Sequence, residues 1–346
     1  MGVFPDRRWF IWNGRRSSSA FSSELSRCIW SWSVDTNCTR LENIWKGIQQ
    51  LHKSIADPYI HNRTDLLLES ATVALGLVYF VVALMPEIGH DALATHLFIP
   101  AHVLANQQWG FDPITYVWAV TPMMGDWLFT FGYMLAGETA SRLVNVGFIF
   151  LIAWLVREIV LWAGGTALGA RWAMLIYLST PLTFTESNTL YIESIWASFV
   201  VAGAVAVFKA SHDANNKENL IFAGIMLGFA MAAKVITFQF SAVLFLILLF
   251  HYKTWFKLNN TKSVIISLAL FFVFGAAPYF TAWWLTGNPV FPFFNGIFHS
   301  PLWPAVNFDM PIYGKGVPWD FLYGVTFNSG KYLETAAGGA GFQWLL

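Results

Sequence analysis

The sequence predicts an all-α integral membrane protein, and three observations support that fold class. Of the 346 residues, 56% are hydrophobic and only 12% are charged, whereas soluble domains usually carry about 25% charged residues. Trp and Phe occur 18 and 32 times, and such residues form the aromatic belts at both faces of a bilayer. Long apolar runs recur along the chain, as expected of helices that cross a membrane.

The charge pattern argues against nucleic acid as a partner and leaves the lipid bilayer as the surroundings of the chain. The formal net charge is zero, and no block of like charges provides the basic surface that nucleic-acid binding requires. Cys28 and Cys38 both lie near the N-terminus, where they give neither a disulfide framework nor a metal-ligand spacing.

The apolar runs predict about seven membrane-spanning helices, because crossing the hydrocarbon core takes about 20 helical residues. Residues 1–65 are expected to form a cytoplasmic extension. Residues 286–346 are expected to form an outer, aromatic-rich loop and the start of a further span at 341–346. The predicted spans lie near 66–85, 142–162, 171–185, 190–209, 220–234, 236–252 and 263–285.

The apolar stretch 121–137 decides the predicted orientation. With Thr121 as N-cap, Pro122 at the first helical position and Gly137 at the end, the helix has about 15 residues, too few to cross easily. If this helix stays in the interface, seven later basic residues share one side with the Arg-rich N-terminus, and only Arg142 and Lys234 lie outside before the last loop. The positive-inside rule then predicts a multi-pass cell-membrane protein with a cytoplasmic N-terminus.

A second interfacial helix is predicted at 89–108, in the first outer loop. Helical periodicity aligns Asp91, Thr95, His102 and Asn106 along one polar stripe. Asp91 either caps this helix or acts as a general base on an acceptor hydroxyl. Together with 121–137, which carries Asp126, the helix forms either the roof of an active site or a structural lid.

Two charged residues lie at the ends of predicted spans. Glu193 begins a span, and a carboxylate there predicts a partner or a water-filled cavity. Lys234 lies in a hairpin with almost no loop, where it either snorkels to the surface or meets the phosphate of a lipid carrier. A pair of outer-loop acids is also compatible with a divalent cation, Mg²⁺ or Mn²⁺, but two carboxylates are too few to define its ligands.

Four segments, in order, resemble the GT-C superfamily of membrane glycosyltransferases, which includes the protein mannosyltransferases and the lipid A aminoarabinose transferases. The resemblance covers about residues 66–330. In contrast to many members, His90 rather than a second acid adjoins Asp91, and the chain is expected to lack the later spans. The four segments are GHDALATHL (89–97), TPLTFTESNTLYIE (180–193), MAAKVI (231–236) and WLTGNPVFP (284–292).

The resemblance implies an inverting transfer of a sugar from a polyprenyl phosphate to a hydroxyl of a glycan, lipid or protein, on the outer side of the membrane. It implies that Asp91 and Glu193 are catalytic and that Lys234 contacts the carrier phosphate. No cofactor is predicted beyond the open alternative of a divalent cation. Further candidate substrate-binding residues in the outer segments are His96, His102, Asp126, Arg142 and Tyr191.

The alternative function is a secondary transporter or a flippase for a lipid carrier. Such proteins also place polar groups within a helical bundle, with ionisable residues near the membrane midplane. Acidic residues gathered at one surface favour the transferase, and a charged path through the bundle favours transport.

Overall fold

The computed structural model describes residues 63–212, 217–252, 258–308, 318–331 and 338–342. The predicted extension up to residue 62 and the end of the predicted further span, 343–346, lie outside these ranges. Every regular element in the described ranges is helical. The α-helices are α1 Arg63–Ala83, α2 Phe98–Asn106, α3 Met124–Trp162, α4 Ala167–Ser179, α5 Pro181–Asn188, α6 Glu193–His212, α7 Lys217–Ala233, α8 Thr237–Phe250, α9 Leu258–Gly275, α10 Ala277–Thr286, α11 Asn295–Phe298 and α12 Phe321–Phe327.

The helices are those of a membrane protein, as the composition predicts. In the described part of the chain, α1, α3 and α6 are long and apolar enough to cross a bilayer, and α9 with α10 gives a fourth span if the bent pair is counted as one. The apolar helices α4, α7 and α8 have 13, 17 and 14 residues, fewer than the roughly 20 that a perpendicular crossing takes. The map of seven spans therefore stays a prediction.

The outer surface of the bundle is more apolar than the surface of a soluble protein. Large apolar side chains such as Leu67 and Phe250 are 69% and 84% exposed, while Asn145 is completely buried. Outward apolar residues face hydrocarbon, and buried polar groups persist because they are hydrogen-bonded. Helix α7 packs between α6 and α9, and α3 joins α6 and α7 around a core that includes Phe129, Ile195 and Ala230.

Helix α3 contains a break where the sequence predicts the end of the interfacial helix. Ala136 and Gly137 leave helical geometry, and Gly137 has φ +68°, a conformation that glycine adopts without the strain of a Cβ. The predicted start is wrong. The helix begins at Met124, and Thr121, instead of capping it, donates its hydroxyl to the Trp118 carbonyl at 2.7 Å.

Two predicted spans are interrupted near proline. The stretch 171–185 is two helices, since α4 ends at Ser179 and α5 begins at Pro181, whose ring removes an N–H and clashes with the preceding turn. The stretch 263–285 bends by 46° between α9 and α10. Pro278 lies in the first turn of α10, a position that tolerates proline because the first N–H groups have no intrahelical partner.

The segment 89–108 is not one α-helix. Ala92–His96 forms a π-helical turn, in which the Leu97 N–H donates to the Ala92 carbonyl at 2.7 Å. Helix α2 follows and ends at Asn106, because Gln107 adopts φ +54°. The extra residue in the π turn changes which side chains share a face.

Candidate active site

The π turn aligns Asp91 with His96. In an α-helix, residues five apart point about 140° away from each other, whereas a π turn places them on the same side. His96 Nε2 lies 3.8 Å from Asp91 Oδ2. The Asp91 side chain forms no capping hydrogen bond and is 53% exposed. The structure therefore does not support the capping interpretation of Asp91 and leaves its carboxylate accessible.

Asp126 holds His96 in place through a hydrogen bond. His96 Nδ1 and Asp126 Oδ1 are 2.6 Å apart, and both side chains are buried. The edge of the Phe129 ring meets the imidazole, with the ring centroids 6.4 Å apart. Because a carboxylate is an acceptor only, Nδ1 carries a proton and Nε2 faces Asp91. Asp126, a predicted substrate-binding residue, is buried and holds this histidine.

Glu193 and Lys234 form an ion pair between the start of α6 and the turn that follows α7. The partner that the sequence predicts for Glu193 is thus Lys234, and the ammonium does not simply snorkel into solvent. The turn is fixed by Thr237, whose hydroxyl donates to the Ala230 carbonyl at 2.8 Å and accepts from Trp196 Nε1 at 2.7 Å. The pair is partly exposed and lies open to a ligand.

The pKa of His96 responds to carboxylates from both groups of charges. Burial alone would lower this pKa, but the Asp126 carboxylate, and then Asp91 and Glu193, favour the imidazolium, so the pKa is raised. Three carboxylates from three separate segments therefore act on one buried imidazole. Asp91, His96, Asp126, Glu193 and Lys234 make up what we call the charged cluster.

Arg142 and Asn145 of α3 hold the loop between α5 and α6. Arg142 Nη2 donates to the Val82 carbonyl at 3.1 Å and the Asn188 carbonyl at 2.8 Å, and Asn145 Nδ2 donates to the carbonyls of Glu186 and Thr189 at 2.7 and 2.8 Å. Arg142 is 2% exposed. The structure thus places this predicted substrate-binding residue in the protein interior, where it fixes the backbone that leads to Glu193.

Glu87, which the sequence analysis does not single out, links the same loop to the first outer loop. Its Oε1 accepts from the N–H groups of Ile88 and Gly89 at 2.9 and 2.8 Å, and its Oε2 accepts from Leu190 at 2.9 Å. The residue is 6% exposed. Its position directly after Pro86, at the end of a predicted span, is the only signal in the sequence.

His102 lies in an aromatic group of the first outer loop, and Tyr191 lies in the loop that leads to Glu193. The His102 ring stacks on Phe111 at a centroid distance of 4.7 Å and also contacts Phe98 and Tyr116. This aromatic group borders a cavity of about 250 Å³ that Thr95 and Trp118 also line. Tyr191 lies half-buried in the loop before α6, where its N–H donates to the Thr189 carbonyl at 3.0 Å.

A second cavity, of about 310 Å³, lies among α6, α7, α8 and α9. Its walls are almost entirely apolar. It begins at Phe238, four residues after Lys234, and continues past Leu244 to Leu248. The described side chains of His, Cys, Asp and Glu form no group of three or more suited to a metal ion, so no metal ligands are assigned.

The model of the dolichyl-phosphate-mannose-protein mannosyltransferase family matches residues 108–287, slightly more than half of the chain. The chain belongs to this family. The match confirms the resemblance to the GT-C superfamily and indicates a membrane glycosyltransferase that uses a lipid-linked sugar donor. It also argues against the alternative function of a transporter. The match contains Asp126, Glu193 and Lys234 but begins after Asp91 and His96. No curated protein and no solved structure matches significantly.

Proposed function

We propose that the protein transfers a sugar from a polyprenyl phosphate to an acceptor hydroxyl at the outer face of the membrane, with inversion at the anomeric carbon. One observation carries the proposal. An accessible carboxylate, Asp91, lies 3.8 Å from a buried imidazole, and Glu193, the ion-pair partner of Lys234, also acts electrostatically on this imidazole. This arrangement supports a base and a cation for a phosphate in the same region of the protein, as this reaction requires.

Asp91 is the proposed general base. In the transfer, the acceptor hydroxyl gives its proton to the Asp91 carboxylate while its oxygen bonds to the anomeric carbon. The bond from that carbon to the phosphate oxygen breaks, and its electron pair leaves with the phosphate. Attack from the face opposite the phosphate inverts the configuration. The half-exposed Asp91 suits this role because a base must come within hydrogen-bond distance of the hydroxyl.

Lys234 is the proposed binding partner of the leaving phosphate. An ammonium has three N–H donors, and the contact with Glu193 leaves two for phosphate oxygens. A fixed cation at the site where negative charge develops stabilises the transition state more than it would in water. Glu193 has the proposed role of orienting this ammonium.

The apolar cavity beside Lys234 supports a lipid-linked donor. Because the cavity starts at Phe238 in the first turn of α8, an isoprenoid chain within it would have its phosphate near the preceding turn, which contains Lys234. About 0.8 kcal/mol per buried CH₂ favours such a placement over water. The chain length, the sugar and the acceptor are not specified by these contacts.

The proposed side of the reaction rests on charge. The charged cluster contains Lys234, which is one of the two basic residues that the positive-inside count leaves outside; the other is Arg142. The cytoplasmic N-terminus belongs to the same proposal. Accessibility labelling in sealed vesicles tests this orientation. It compares a cysteine introduced at His90 with Lys217→Cys, which lies at the end of α7 opposite Lys234.

The test of the function uses the full chain in detergent or vesicles, with dolichyl phosphate mannose and a Ser- and Thr-containing peptide. We expect transfer by the native protein, loss of transfer in Asp91→Asn with donor binding retained, and weaker donor binding in Lys234→Gln. Full transfer by Asp91→Asn would show that Asp91 is not the general base. Movement of the donor across vesicles without transfer would instead support the flippase alternative.

A further inference from the structure

The π turn at Ala92–His96 serves to bring one imidazole to Asp91. A regular helix through the same residues would point His96 about 140° away from Asp91. The observed separation of 3.8 Å between His96 Nε2 and Asp91 Oδ2 follows from the single extra residue in the turn. Single-turn π segments are often found at functional sites.

The Nδ1 atom of His96 already has a hydrogen-bond partner. Nδ1 contacts Asp126 at 2.6 Å, and both residues are buried, so the ring cannot rotate without losing a buried charge-assisted hydrogen bond. Phe129 closes one side of the ring. His96 is therefore held in one orientation, with its other nitrogen toward the accessible carboxylate.

The surrounding charges favour the protonated form of His96. The charged groups around it are Asp91 next to its own turn, Asp126 on α3, and Glu193 on α6, which is paired with Lys234 after α7. The imidazolium that these carboxylates favour attracts the Asp91 carboxylate beside it.

We infer that His96, held by Asp126, is a positioning residue that fixes the Asp91 carboxylate for proton abstraction. This inference rests on the proposed function. His96 retains its proton throughout, since the proton of the acceptor hydroxyl goes to Asp91. His96 and Asp126 therefore act through Asp91 and do not contact the sugar.

The first experiment measures pH–rate profiles of mannosyl transfer from dolichyl phosphate mannose for the native protein, His96→Gln and Asp126→Asn. We expect kcat to fall about 100-fold in His96→Gln, as for a misplaced base, with KM for the donor unchanged. In Asp126→Asn the loss of activity at high pH should begin at lower pH. His90→Gln is the matched control, because the exposed His90 forms no hydrogen bond or ion pair with the described residues.

The second measurement needs no substrate. Ring ¹⁵N resonances of the eight histidines are titrated in the full chain, and His96 is assigned by its absence in His96→Gln. We expect His96 to hold its proton above the ordinary histidine pKa of 6.5, and Asp126→Asn to lower the pKa of His96. A native His96 pKa at or below 6.5 would overturn the inference.

The outcomes separate this inference from the function on which it rests. If Asp91→Asn is inactive while His96→Gln and Asp126→Asn keep native kcat and pH profiles, the inference fails and the base remains. If Asp91→Asn transfers mannose at the native rate, the proposed base itself fails. Retained donor binding and an unchanged elution profile in detergent distinguish both results from misfolding.

Discussion

Glu193 and Lys234 are ion-paired although 41 positions separate them in the chain. Each lies at the end of an apolar helix, where an unpaired charge is costly, and each is partly exposed. The pairing gives Lys234 a defined orientation before any ligand arrives. An ion pair this exposed contributes little to stability after solvent screening, which agrees with the proposed role of Lys234 in phosphate binding.

Lys234→Gln should weaken donor binding by about tenfold, because a hydrogen bond from a charged group contributes about 1.5–3 kcal/mol. Quenching of tryptophan fluorescence by dolichyl phosphate, which lacks the sugar, measures the affinity. Lys217→Gln, at the opposite end of α7, is the control and should bind normally. Equal affinities of both variants would contradict the assignment of Lys234 to the phosphate.

Replacing Arg142 by Met should destabilise the bundle by roughly 2–4 kcal/mol, since the half-buried backbone carbonyls of Val82 and Asn188 lose a charged donor. Arg142→Lys should recover only part of the loss, because a single ammonium does not reproduce the planar guanidinium. Thermal unfolding in detergent measures both variants. A native midpoint in Arg142→Met would show that these hydrogen bonds do not hold the loop.

Gly125 allows α3 to approach the loop before α6. A Cβ at this position would lie 2.4 Å from Ile192 Cγ2, so Gly125→Ala should lower the thermal midpoint and disturb the neighbouring Glu193. Ile192→Ala should relieve the clash, and the double variant should be more stable than the sum of the single changes implies. The control is Gly147→Ala, where no atom lies within 4 Å and where Ala should stabilise the helix slightly.

Stability should depend on pH through His96. The folded-state pKa is raised from 6.5, so the stabilisation is fully present below the unfolded value and is lost as pH rises through the folded one. Thermal midpoints from about pH 6 to about pH 9 should therefore fall more in the native protein than in His96→Gln. Parallel curves for the two proteins would contradict a raised pKa.

Filling the apolar cavity should discriminate between donors by chain length. Ala242 lines the cavity, so Ala242→Trp should weaken binding of dolichyl phosphate and leave a phosphate with a ten-carbon chain little affected. The same fluorescence titration compares the two lipids. Equal losses for both would locate the isoprenoid chain elsewhere.

The charged residues at helix ends could be predicted from sequence because charges beside apolar runs are rare and costly. Asp91, Glu193 and Lys234 stand out in this way. The pairing of His96 with Asp126 could not be predicted, since it joins residues 30 apart. The orientation of His96 also depends on an i→i+5 hydrogen bond that no local pattern specifies. The sequence predicts that Arg142 lies in an outer segment and binds substrate. Its charge alone does not reveal that two backbone carbonyls hold it in the protein interior.

Glu87 fastens the loop that carries Asp91 to the loop that carries Glu193 through its three backbone hydrogen bonds. Bilayers differ in thickness, and helices accommodate the mismatch by tilting. With both loops tied to one carboxylate, we expect the two loops to move together when the helices tilt. The spacing between Asp91 and Glu193 should then change little with the lipid composition of the surrounding membrane.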